Sequence, residues 1–187
     1  MITPKVKGTQ VVFGPCRLSY TYLFKKFNPD GGEQGGKYMT NVLIPSGETE
    51  TLNAIRKAIA EAKAEGLKKK WGGKEPKKLD LPLRDGDDRD KDIDTYAGQM
   101  YLNAKCSSRP GIVDPRKNPI FDEDEVYSGI WAVVSVTFYP YDSNGNKGVA
   151  CGLNNVMKVA DGERLGGRSS AESDFADIDI ETDDDLM

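Results

Sequence analysis

The chain has no histidine among its 187 residues and only three cysteines. The missing imidazole removes Ser-His and Cys-His nucleophile pairs, histidine-containing zinc sites and the commonest general base. Cys16, Cys106 and Cys151 lie far apart and are odd in number, which fits a reducing compartment better than a disulfide framework. No stretch approaches the ~20 apolar residues of a membrane span. The opening "MITPKVKGTQ" lacks the apolar run of a signal peptide. The absences point to a soluble intracellular protein that is not an enzyme and needs no cofactor or metal.

What is present is charge, unevenly placed. The net charge is −4, but the residues from Asp161 onward carry ten acids and two arginines, whereas the first 29 residues carry five basic residues and no acid. The closing "SDFADIDIETDDDLM" has seven acids and no base. Such asymmetry points to a polyanion partner, a charged tail, or both.

Strand character shows in "CRLSYTYLFKKF" (16–27), "KYMTNVLIP" (37–45) after the Gly-rich "NPDGGEQGG", and "GQMYLNAKC" (98–106). The stretch from Gly129 to Val159 reads as a hairpin turning at Asn144-Gly145. One segment is helical: Leu52, Ile55, Ile59 and Ala62 form an apolar stripe, with Ser46 as candidate N-cap and Lys68 to Lys70 at the negative end. Five or so strands with one helix imply an all-β to α+β domain. The most economical form is a five-stranded oligonucleotide-binding (OB) barrel with one inserted helix and long loops. Residues 1–165 form this domain, and 166–187 a flexible, disordered acidic tail.

Two stretches imitate catalytic motifs. "GERLGGRS" (162–169) has P-loop spacing, but Arg168 stands in the lysine position and no apolar helix follows. "DGDDRDKDID" (85–94) suggests a calcium loop, yet Ile93 occupies the required glycine position and Gln99 the bidentate glutamate position. Both read as solvated loops.

Strand parity is more informative. Ile130, Ala132, Val134, Val136 and Phe138 make one face of a strand, leaving Trp131, Tyr139 and Tyr141 on the other with Ser135 and Thr137. In "QMYLNAKC" the inner set Met100, Leu102, Ala104 and Cys106 leaves Tyr101, Asn103 and Lys105 outside. Aromatic rings mixed with polar and basic groups suit single-stranded nucleic acid, whose bases stack on rings while cations follow the phosphates. The candidate contacts are Arg17, Tyr20, Lys25, Lys26, Tyr101, Lys105, Arg109, Trp131, Tyr139, Tyr141, Lys147 and Lys158.

The segments "RLSYTYLF", "LPLRDGD", "YLNAKCSSRPGIVD" and the run from Asp122 to Phe175 resemble a tailed-phage single-stranded-DNA-binding protein family with an OB fold, formerly a domain of unknown function. The likeness runs from about Val12 to Phe175. It implies coating and protection of single-stranded DNA during phage replication or recombination, in the cytoplasm of the infected host. Duplex DNA or RNA would bind more weakly, no membrane is involved, and self-association stays open. By analogy with single-strand binders whose acidic tails end in an apolar residue, Asp183, Asp184, Asp185, Leu186 and Met187 would dock on replication or recombination proteins. The final Leu-Met pair departs from the Phe that often ends such tails. The alternative reading is an acidic DNA mimic that inhibits a host nuclease or polymerase, against which the basic N-terminal half argues.

Overall fold

The computed structural model describes residues 1–29, 36–166 and 171–180. A short strand, β1 (Lys5–Lys7), turns through Gly8, at φ +61°, into the long β2 (Gln10–Phe27), its antiparallel partner. β2 then serves two neighbours. Its first half pairs with β7 and its second with β3, so it curves around the barrel. The bend is placed by Gly14-Pro15, where the ladder to β7 slips a register. A Cβ on Gly14 would lie 2.7 Å from the Ala132 carbonyl, so only glycine fits.

β3 (Lys37–Pro45) leads into α1 (Thr49–Lys69), and β4 (Leu83–Asp85) and the one-turn α2 (Ile93–Tyr96) precede β5 (Gln99–Cys106). β6 (Gly111–Val113) precedes the hairpin of β7 (Trp131–Ser143) and β8 (Asn146–Ala160), and α3 (Ala171–Asp174) follows. The order β5-β3-β2-β7-β8 closes through a parallel pairing of β8 with β5, at Ala104 with Cys151 and Lys105 with Gly152. The result is the expected closed five-stranded OB-type barrel. β1, β4 and β6 are three-residue edge additions, too short to show periodicity.

The inner faces fill the barrel. Val11, Phe13, Leu18, Val42, Leu102, Val134, Val136 and Phe138 are almost wholly buried. Leu52, Ile55, Ile59 and Ala62, the helical stripe, are buried with them, α1 lying chiefly against β7 and β2. The N-cap expectation is corrected: α1 starts at Thr49 after Glu48, which makes no side-chain cap. Ser46 is used otherwise, its N–H donating to the Gly98 carbonyl at 3.0 Å as β3 ends. At the other end Trp71 folds back onto Gly66, where a Cβ would meet its ring at 2.6 Å. Its indole N–H donates to the Tyr141 carbonyl at 3.1 Å, pinning the helix end to the hairpin.

The cysteines are packing residues. Cys16 and Cys151 are buried, and burial pushes the Cys16 thiol up to about 12 and raises that of Cys151 as well, far from reactive thiolate behaviour. No described helix is long and apolar enough to cross a membrane.

Candidate nucleic-acid interface

A groove crosses the outer face of β3, β5 and β8. Register places Met39 opposite Lys105, and Lys105 opposite Gly152, in one outward row. The Tyr139 ring packs close to Gly152, whose added Cβ would come within 3.3 Å of it. One stretch, of about 360 Å³, is walled by Tyr139, Tyr141, Lys37, Lys105 and the segment 80–84. The adjoining stretch, of about 320 Å³, shares Lys37, Asn103 and Lys105 with it and ends at Met39, Phe27 and Pro29.

The segment 80–84 is a strap. The Asp80 N–H donates to the Lys147 carbonyl (3.0 Å) and its carbonyl accepts from Val149 (2.9 Å). Further on, Leu83 pairs with Leu102 and Arg84 with Tyr101 on β5. Gly148 permits this contact, since a Cβ there would stand 2.4 Å from the Asp80 carbonyl. Tyr141 donates its hydroxyl to Asp80 at 3.0 Å. Burial, and then that hydrogen bond, raise its phenol above the ordinary range, so it remains a neutral donor. Asp80 also faces Arg84 across 3.4 Å. Among the described residues Lys37 and Lys105 make no ion pair, which leaves their charge available for an incoming anion. The side-chain oxygen of Asn103 is buried with no hydrogen-bond partner among the described residues.

Lys105, Tyr139 and Tyr141 therefore meet in one groove, with Lys147 beside the strap. The remaining candidates are dispersed. Tyr101 corrects the parity reading. It is only 8% exposed, packed edge-on against Tyr96 at 5.1 Å under the Arg89 guanidinium. The segment before β5 folds back over that face, so the outward side of β5 is covered at Tyr101 and open at Lys105. Arg17 is held by backbone, donating to the carbonyls of Gly129 and Glu163. Lys158 pairs with Asp161 at 2.7 Å. Trp131 is 39% exposed but eight residues from Tyr139 along β7, about 26 Å at strand rise. Tyr20 bonds Asp92 and sits on a bulge. Lys25, Lys26 and Arg109 are exposed near the end of β2, with Lys26 5.6 Å over Tyr38 and Arg109 4.6 Å over Phe24.

Sequence reasoning placed Asn103 on the outer face without counting it as a contact, and missed Phe27, Lys37, Met39 and Arg84 as groove residues. The signal was present for two of them, because Lys37 and Met39 alternate with the buried Thr40 and Val42. Asp183 to Met187 and residues 167–169 of the P-loop-like stretch lie outside the described residues. The other acidic decoy is explained by turns: the Asp85 carboxylate accepts from the Asp87 N–H at 2.9 Å, and Asp87 from that of Gly98 at 2.9 Å.

Fold and groove define a class: an OB-type barrel with an aromatic, cationic channel across its open face. The chain belongs to the family described as Enterobacter phage Enc34, ssDNA-binding protein, whose model matches residues 9–187. Protein p50 of Acyrthosiphon pisum secondary endosymbiont phage 1 is 34% identical over 183 residues, covering 91% of this chain and 95% of that protein. Among solved structures, the single-stranded DNA-binding protein from bacteriophage Enc34 in complex with ssDNA superposes with a TM-score of 0.70 at 25% identity, covering 87% of this chain and 96% of that one. Bacteriophage T7 gp2.5, also a single-stranded DNA-binding protein, shares the fold at a TM-score of 0.57 and 20% identity, over 93% and 97% of the two chains.

Proposed function

We propose that this protein binds single-stranded DNA without sequence preference, coating and protecting it in the infected bacterial cell during phage replication and recombination. The observation that carries the reading is the Tyr139 ring packed close to Gly152 beside Lys105 and Lys37. A base stacks on the ring, at ~1–3 kcal/mol, while the two ammonium groups hold neighbouring phosphates. Every base has a π-face, so stacking is tolerant of sequence. A duplex hides those faces and binds more weakly. The family relationship, and the relative captured with ssDNA, support the same reading. The role is binding rather than catalysis. Anisotropy titrations against labelled single strand, duplex and RNA at two salt concentrations test it. Equal affinity for single strand and duplex, or affinity that ignores salt, would refute it.

The acidic tail from residue 166 onward is assigned two tasks. A tethered polyanion occupies the cationic groove at an effective concentration around millimolar when DNA is absent. Once DNA displaces it, Asp183, Asp184, Asp185, Leu186 and Met187 become available to basic pockets on replication or recombination proteins. Deleting residues 176–187 tightens single-strand binding at low salt and weakens partner capture. Equal affinities of the full-length and truncated chains would remove the competition.

A further inference from the structure

We infer that the hollow beside the β2 bulge is a second nucleotide site, which takes the single strand after it leaves the groove over Tyr22. This rests on the groove being the primary site.

The ladder between β2 and β3 breaks between Ser19 and Tyr22. Tyr20 there adopts φ +49°, a left-handed conformation that aromatic residues rarely take and that tends to mark functional positions. The Thr21 N–H, released from the ladder, donates instead to the Ser128 hydroxyl at 3.0 Å. Leu165 ties the departing chain to the same place, its N–H donating to the Ser128 carbonyl at 2.9 Å. Between these segments opens a hollow of about 450 Å³, within the range of small-molecule sites, lined by Tyr20, Tyr22, Thr95, Tyr127, Ser128 and Arg164 among others.

Its charges leave one cation to spare. Asp92 accepts from the Tyr20 hydroxyl and lies 3.6 Å from Arg89. Asp161 is paired with Lys158 and also accepts from the Tyr127 hydroxyl at 3.0 Å. Arg164 stacks 4.2 Å over the Tyr127 ring, is exposed, and makes no ion pair among the described residues. A guanidinium held over a ring is preorganised for a phosphate, and the hydroxyls of Tyr22, Thr95 and Ser128, which donate to no other group among the described residues, can meet a base edge or sugar. Tyr22 joins the two sites. It lines the hollow, and its ring lies 4.8 Å from that of Phe27, which walls the groove.

The test uses the full-length chain and labelled oligothymidylates of ~5 and ~16 nucleotides, bracketing OB-fold site sizes. Arg164→Gln weakens the long strand roughly tenfold, the scale of one charge-assisted contact, and lowers its salt slope by about 0.7 while sparing the short strand. Tyr22→Ala removes much of the gain from short to long. Lys105→Gln is the control on the groove and weakens both lengths. If it does so while Arg164→Gln acts equally on both lengths, or on neither, the hollow is overturned and the groove stands. If Lys105→Gln spares the short strand, the groove reading fails and its extension fails with it.

Discussion

The two ends of β7 each carry an exposed aromatic ring, Tyr139 at 43% and Trp131 at 39%, and exposure alone does not separate them. Their surroundings do. Around Tyr139 a glycine lets the ring lie against bare backbone, and Lys37 and Lys105 stand without ion pairs among the described residues. Around Trp131 the cations are engaged: Arg17 on two carbonyls and Lys158 on Asp161. A ring becomes a platform for bases where neighbouring cations lack partners. It becomes a wall where local structure has already satisfied them.

Substitutions turn that contrast into measurements. The largest effect falls on a ring that is neither platform nor surface wall. Tyr101→Ala removes a buried side chain packed on Tyr96 and Arg89, at about 3 kcal/mol of stability, read as a lower urea midpoint. A stability change within about 0.5 kcal/mol would return Tyr101 to the exposed face. Next in size, Tyr139→Ala weakens short-strand binding by ~1–3 kcal/mol with the salt slope unchanged, because stacking releases no counterions. Trp131→Ala leaves that affinity within a factor of about two. Equal losses at the two positions would erase the distinction between platform and wall.

The barrel was legible because its inner faces obey a period of two: Ala132, Val134, Val136 and Phe138 alternate without a break, and every one is buried. Asn144-Gly145 marked the hairpin because few dipeptides accept the backbone that its turn needs, here φ +51° and +85°. The site was only partly legible. Parity places a side chain in or out relative to its own sheet, and says nothing of a loop that folds over the outer face. Tyr101 is such a case, covered by the Arg89–Tyr96 segment. Bulges also escape parity, since Tyr20 and Tyr22 look equivalent in sequence while a register break and a positive φ separate them. Nor could charge counting find Arg17 occupied, because its partners are the backbone carbonyls of Gly129 and Glu163, which carry no formal charge and reach it through tertiary contacts.

The smallest predicted effect belongs to the Trp131 end and concerns pH. The Lys158 ammonium, and then the Tyr127 hydroxyl, hold the Asp161 carboxyl below its usual 3.8. A depressed folded-state pKa contributes stability above the unfolded value, and loses it as pH falls through the folded one. Asp161 is exposed, so solvent screening keeps the pair within the ~0–1 kcal/mol typical of surface ion pairs. Asp161→Asn therefore lowers the urea midpoint slightly at about pH 6, and the difference from the parent closes as pH falls through the lowered pKa of Asp161. Short-strand affinity stays the same throughout the upper range. A gain of that affinity in Asp161→Asn would mean that Lys158 belongs to the strand's path, and that its pairing with Asp161 is a resting contact which DNA replaces.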